Sequence, residues 1–487
     1  MFVPDEVTAR AIEAWVAATD LELASGVFPG WEPATQSVAL VLPEARGWIL
    51  ARAPWARGRP VAARRGGILP GISFLPAAQA SDLGLPDPDV PTPRRADEGA
   101  LTVVCRGVPV VVTEPGGDPA RLAAGVFTSL FAAWWSARTD RGAPQVPLLP
   151  ETPGAAALAV VEGRLLLQAL REGARGGPLE RLVTQIVLVR RERWADCEPA
   201  QEQDARAVEC AAGLARYAGA CCAGRLALAA RNTPAVPPAE LIARLADLSA
   251  EPLPQRGGLT GWALASLLHL LEPVRGAAGG EAVAGGRPWA QRRSFPDGWK
   301  AALSAGVAFD QVIESYVRMD GGSRDDAALV AALATYGHAD ALERARLLAA
   351  ATADARRALI EGILRGEGTL LAIDIRRLGR PRVESPAPVQ AVHGGLAVYP
   401  AGASFAFEAG PHLCFDRLPV AEDRRSGLLQ TRVRARLRMQ GDGAALRGGG
   451  RAVFTDGLDL TLPGMRLRAA GGTIEPVDGG YLLRLFR

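Results

Sequence analysis

The chain has 487 residues, 55 of them Lys or Arg and 52 Asp or Glu, for a net charge of +3. With 48% hydrophobic and 22% charged residues, this is the composition of a soluble globular chain of about three domains, and its charge gives no field that implies nucleic acid or a membrane as an obligatory partner. Lys300 is the only lysine and Asn232 the only asparagine, a bias expected of GC-rich coding. A P-loop is excluded because no glycine loop precedes Lys300, and a kinase because HRD, DFG and VAIK motifs are missing.

In chain order, Val7, Ile12, Trp15 and Val16 mark an amphipathic helix from Asp5 to Ala18. The turn Phe28-Pro29-Gly30-Trp31 follows, then a strand from Ser37 to Leu42. Prolines, glycines and arginines dominate Pro54 to Gly99, so a long loop or covering segment is expected there. Valine-rich Leu101 to Thr113 is expected to form a strand or hairpin. Asp118-Pro119 and Thr152-Pro153 each place a capping side chain before a first-turn proline. They open a helical block with further helices at Pro178–Trp194, Gln201–Ala230, Pro238–Leu248, Gly258–Leu271, Phe309–Arg318, Ser323–Thr335 and Ala339–Arg365, and a Gly/Arg-rich break over 274–294.

Beyond Gly368 the period of the apolar residues drops to two, at Leu370–Arg376, Leu396–Tyr399, Thr431–Arg438, Leu458–Leu462 and Tyr481–Arg487. Asp442-Gly443, Asp456-Gly457 and Asp478-Gly479 supply turns. The fold class is therefore α+β: an N-terminal α/β segment with a Pro-rich loop (1–115), a helical domain (116–366) and a C-terminal all-β domain (367–487).

Local motifs mostly exclude chemistry. His269, His338, His393 and His412 form no HExxH, HxH or HxxxH, so no metal is expected, and no cofactor either. There is no GxSxG elbow. The GDGAAL run at 441–446 lacks the third glycine of a dinucleotide loop and reads as a hairpin turn. Arg432, Arg434, Arg436 and Arg438 would share one face of a strand, and without interleaved aromatics they read as a solvated face rather than a nucleic-acid surface. The six cysteines show no CxxC pair and are expected to be free buried thiols in a reducing compartment. The longest uncharged apolar stretch, Leu122–Ala137, is 16 residues, short of the roughly 20 that cross a bilayer. With two acidic residues in its first six and no continuous apolar run, the start does not resemble a signal peptide. A cytoplasmic location is expected if Met1 is the true start, and export if the true start lies upstream.

Three stretches in order, Val27-Phe28-Pro29-Gly30-Trp31 with its strand, the helix Leu122–Ala137, and Gly213-Leu214-Ala215-Arg216-Tyr217, resemble a bacterial family related to gluzincin-type zinc metallopeptidases. Gly258–Leu271, Gly298-Trp299-Lys300 and the trailing β segment are similar as well. The family carries HExxH on the second stretch and EGLAxY at the third. Carried over position by position, the resemblance puts Phe131 and Trp135 where the zinc-binding histidines belong, Ala132 where the general-base Glu belongs, and Ala212 where the third ligand belongs. None of these side chains holds zinc or deprotonates its water. The resemblance thus implies a catalytically inactive metallopeptidase-like protein, with no catalytic residue, that binds a protein or peptide or serves as an assembly component. The alternative is a hydrolase whose active site shows in no motif, with Glu162, Arg164, Glu209, Tyr217 and His269 as cleft residues, or a purely structural component of a complex.

Overall fold

The computed structural model describes residues 1–81, Leu85, 100–138, 152–229, 239–271, 298–317, 323–434 and 451–486. Short connections within these ranges are excepted, at 34–35, 43–44, 54–57, 64–67, 106–107, 114–117, 196, 198, 247, 249–252, 380, 385–389, 393–395, 408–409 and 456. Two compact units emerge: Met1–Pro147 with Gly154–Glu343, and Leu148–Pro153 with Arg344–Arg487.

The first unit opens with α1 (Glu6–Ala18), whose start is capped by Asp5 accepting from the Thr8 amide. Its sheet comprises β1 (Ser37–Leu42), β2 (Gly47–Ala51), β3 (Arg59–Ala62), β4 (Ile68–Pro76), β5 (Ala100–Cys105) and β6 (Val108–Thr113), in the order β3-β4-β2-β1-β6-β5. Only β1 and β6 run parallel. Every residue of β1 is buried, because both faces of the sheet are covered. Val38, Leu40 and Leu42 belong to the main core, while Ala39, Val41, Trp48 and Leu50 form a separate apolar layer on the other face.

The expected loop over 54–99 is corrected in part, since β3, β4 and the short α2 (Ala77–Ser81) lie within it. Its prolines and glycine misled because they sit where a sheet tolerates them. Pro60 is on the edge strand β3, and Pro70-Gly71, with Gly71 at φ +70°, lies opposite the register shift between Pro60 and Ala62. Pro86, Pro88, Pro91 and Pro93 lie outside the described residues.

The helices are α3 (Pro119–Arg138), α4 (Pro153–Ala174), α5 (Glu180–Trp194), α6 (Pro199–Ala229), α7 (Ala239–Ala246), α8 (Leu253–Leu271), α9 (Gly298–Ser304), α10 (Phe309–Glu314), α11 (Ser323–Thr335) and α12 (His338–Arg365). Asp118 caps α3 by accepting from the Ala120 amide. α8 starts five residues earlier than the pattern suggests, and α10 ends sooner. The break over 274–294 lies outside the described residues. Helices α3 through α10 and the inner face of the sheet share one continuous core. The boundary near residue 115 is therefore a change of secondary structure inside one unit, and the later boundary falls within α12 rather than at its end.

Small residues bring α6 against its neighbours. A Cβ on Gly213 would stand 2.4 Å from Gly261 of α8, and one on Gly219 would stand 2.4 Å from the Ala124 carbonyl of α3. Among the described helices, only α4 is long and apolar enough to cross a membrane; 61% of its apolar window is buried within the protein.

The second unit adds β7 (Thr369–Asp374), β8 (Arg382–Glu384), β9 (Gln390–Val392), β10 (Leu396–Tyr399), β11 (Ser404–Ala406), β12 (His412–Phe415), β13 (Val420–Asp423), β14 (Leu428–Val433), β15 (Ala452–Phe454), β16 (Leu458–Leu462), β17 (Met465–Ala469), β18 (Gly472–Val477) and β19 (Gly480–Leu485). An eight-stranded sheet, β15-β18-β19-β7-β14-β13-β10-β9, and a five-stranded sheet, β16-β17-β12-β11-β8, enclose a common core that includes Leu371, Phe405, Leu413, Leu467 and Leu483. Gly479, at φ +75°, closes the β18–β19 hairpin. Gly457, in contrast, lies between strands of different sheets and marks a crossover. The arginine stripe acquires a structural role at its first member, because Arg432 donates to the carbonyls of Ile363, Leu364 and Gly368 at the end of α12. Arg434 lies just past the end of β14, and Arg436, Arg438, Asp442-Gly443 and the 441–446 run lie outside the described residues.

Candidate functional site

Two centres occupy the middle of the first unit, one apolar and one ionic. The apolar centre forms on the second half of α3. Phe131 is fully buried and Trp135 nearly so. Four residues apart, they share a face and stack with centroids 5.9 Å apart and planes 16° from parallel. The 28–31 turn, which needs the left-handed Gly30 (φ +70°), lays two more rings on them. Phe28 meets Phe131 edge-on at 5.3 Å and Trp135 at 5.7 Å, and Trp31 meets Phe131 at 5.0 Å and Phe127 at 6.1 Å. Gln36 donates to the Leu130 carbonyl at 2.8 Å and ties the strand start to the same helix. Trp299 on α9 extends the block from Phe28 (6.5 Å) to Tyr217 of α6 (5.5 Å).

The positions on α3 where the resemblance implies zinc ligands thus carry rings that touch Phe28 and Trp31 of the N-terminal turn. Among the ring contacts, Phe28 and Trp299 connect Phe131 and Trp135 to Tyr217 of α6. Ala132 is half-buried against the core. Ala212 stands against Gly258 of α8, 3.4 Å from where a Cβ there would lie. At 100° per residue it is also on the side of α6 that carries Gly219 two turns later, toward α3.

The ionic centre collects Glu162 from α4, Arg190 and Arg193 from α5, Glu209 and Arg206 from α6, and Asp310 from α10. Arg190, 1% exposed, donates to Glu162, to Asp310 and, at two points, to Glu209 (Nη2–Oε2 2.6 Å, Nη1–Oε1 3.1 Å). Arg193 reaches the other Glu162 oxygen at 2.8 Å, and Arg206 lies 3.0 Å from Asp310. Burial alone would lower the Arg190 guanidinium, but Asp310, Glu162 and Glu209 hold it well above its ordinary value. Burial pushes the Glu209 carboxyl up despite Arg190. Burial also acts to raise Asp310, yet Arg190, Arg206 and Arg193 keep it below the ordinary range.

Three guanidinium groups therefore meet three carboxylates, and the space a cation would need among Glu162, Glu209 and Asp310 holds Arg190. A balanced, hydrogen-bonded cluster of this kind specifies how helices assemble.

The five cleft residues do not converge at one place. Glu162 and Glu209 share Arg190. Arg164 points elsewhere, donating to the Ala246 carbonyl (3.3 Å) and the Tyr336 carbonyl (2.7 Å). Tyr217 packs beside His269 (6.1 Å) beneath the Lys300 ammonium, which lies 5.6 Å from its ring centre. Glu162 pairs with Arg190 and Arg193 rather than with Arg164, because residues two apart on a helix face different ways. Arg190 and Asp310 carried no sequence signal, since an arginine amid Val189 and Arg191 on a helix reads as surface.

Cys197, Cys210, Cys221, Cys222 and Cys414 are free thiols, and burial pushes Cys210 up to about 12, so it is no nucleophile at neutral pH. Comparison of the chain with protein-family models, curated protein sequences and solved structures returns no match.

Proposed function

We propose that the chain is a catalytically inactive, metallopeptidase-like protein that works by binding a protein or peptide or as an assembly component, and not by turnover. The observation that carries this reading is the stacked pair Phe131–Trp135, sealed by Phe28 and Trp31, where the resemblance implies two zinc-binding histidines. Filling such a position with rings replaces polar groups that would be costly to bury without a metal, and it supplies dispersion contacts to the surrounding core. The arrangement of Glu162 and Glu209 supports the same reading: both are saturated by arginines in a buried cluster, so neither is placed to serve as a general base.

Elemental analysis of the purified full-length chain, paired with a peptidase assay with and without chelator, tests the proposal. Substoichiometric zinc and no chelator-sensitive hydrolysis are expected. One zinc per chain together with chelator-sensitive cleavage would overturn it.

A further inference from the structure

Arg164, left aside by both centres, borders a cavity of about 320 Å³ in the first unit. Its floor is one face of α4, where Arg164, Leu167, Gln168 and Arg171 recur at helical spacing, and its rim is the Thr335–Gly337 turn that joins α11 to α12. The volume is at the lower end of the roughly 300–1,000 Å³ typical of ligand pockets.

The charge here is unlike that of the ionic centre. The lining carries two guanidinium groups and no carboxylate. Arg164 donates to the neutral carbonyls of Ala246 and Tyr336, and Arg171 forms no ion pair or hydrogen bond among the described residues. The nearby Glu172 accepts from Gln168 at 3.0 Å and lies 4.0 Å from Arg175. A third guanidinium, Arg181, acts electrostatically on Tyr336.

The rim adds donors. Gly337 is the residue whose carbonyl accepts a bond from the Ala341 amide, so the positive end of a 28-residue helix, whose first turn also carries Asp340, begins at the cavity edge. Glycine is favoured at this turn by its backbone conformation and by the nearness of Arg164. Its φ is +69°, and a Cβ would stand 2.9 Å from Arg164 Nη1, displacing the guanidinium from the Tyr336 carbonyl.

The geometry points to a binding site for the phosphate group of a small molecule at Arg164, Arg171 and the Gly337 turn. A dianion matches two lining guanidinium groups and a helix start better than a single carboxylate does. The remaining volume accommodates the organic part of the ligand. This assignment does not depend on the state of the former zinc positions.

The probe is inorganic phosphate, titrated into the full chain by calorimetry and thermal unfolding against sodium chloride at matched ionic strength. Saturable binding is expected, weakened about tenfold or more in the exposed Arg171→Gln variant and unchanged in Arg357→Gln, a residue that does not line the cavity. Succinate, the dicarboxylate comparison, is expected to bind more weakly. Absence of a saturable phosphate response, an equal response in Arg171→Gln, or succinate binding as tight as phosphate would each overturn the assignment. Because Arg171 ties no element to another, its variant is expected to keep the wild-type unfolding temperature without ligand.

Discussion

Phe28 and Phe131 meet edge-on, ring centroids 5.3 Å apart and planes at 79°. Through this contact the N-terminal turn closes over the buried end of α3. Phe28 is 3% exposed and also touches Trp134, Trp135 and Trp299. Phe28→Ala is expected to cost about 3–5 kcal/mol, the range for truncating a buried ring, measured by urea unfolding followed by circular dichroism. Introducing the residues that the resemblance implies, with Phe131→His, Ala132→Glu, Trp135→His and Ala212→Glu, is expected to destabilise further, because cavities and buried polar groups replace packed rings. A stable quadruple variant would remove the argument that the rings are structural.

Arg190 should be the most sensitive charged position. Arg190→Met leaves Glu162, Glu209 and Asp310 buried with fewer partners, and breaking a buried pair on one side costs about 3–5 kcal/mol. Arg10→Ala removes an exposed i,i+4 pair with Glu6 and should stay within about 0.5 kcal/mol of wild type. Equal effects of the two substitutions in chemical denaturation would contradict the description of the cluster.

Close packing of α6 on α8 depends on the absence of a side chain at Gly261, where a Cβ would stand 2.1 Å from the Glu209 carbonyl. Gly261→Ala should push the helices apart, cost about 1–3 kcal/mol and displace Glu209 from Arg190. Gly362, inside α12 with nothing within 4 Å of its would-be Cβ, supplies the contrast. Gly362→Ala should stabilise by up to about 1 kcal/mol. Thermal unfolding of the two variants should therefore move in opposite directions.

The β unit should lose stability in acid through two carboxylates. Hydrogen bonding from Arg376 holds Asp374 below 3.8, and hydrogen bonding from Ser426 does the same for Asp423. A lowered folded value means the unfolded chain binds more protons. The stabilisation is therefore present above about pH 3.8 and is lost as pH falls through the folded values. Asp374→Asn should flatten the low-pH limb of stability against pH while leaving Asp423's share in place. An unchanged acid limb would rule out Asp374 as a contributor.

Much of the fold was legible in the sequence because local periodicity and capping are local physics. The Ser37–Leu42 strand, the Asp118-Pro119 helix start, the change of period after Gly368 and the Asp478-Gly479 hairpin are each specified by residues within a few positions of one another. The mistaken loop over 54–99 came from the same kind of reading, since a proline on an edge strand and one in an exposed loop look alike until a partner strand is known. Burial of Phe131 and Trp135 followed from an uncharged helix. That Phe28 and Trp31 close over them did not, because contacts between rings distant in sequence leave no periodic trace.

The tertiary structure alone decided the rest. Arg190 is charged on a helix and would be read as solvated, yet three acids from three other helices surround it. Glu162 and Arg164, two residues apart, project to different sides of α4, one into a balanced ionic core and the other to the edge of an open, uncompensated cavity. Charge balance is a property of groups brought together in space, so the sequence determined which charges this protein has, and only the packing of its helices decided which of them are already satisfied.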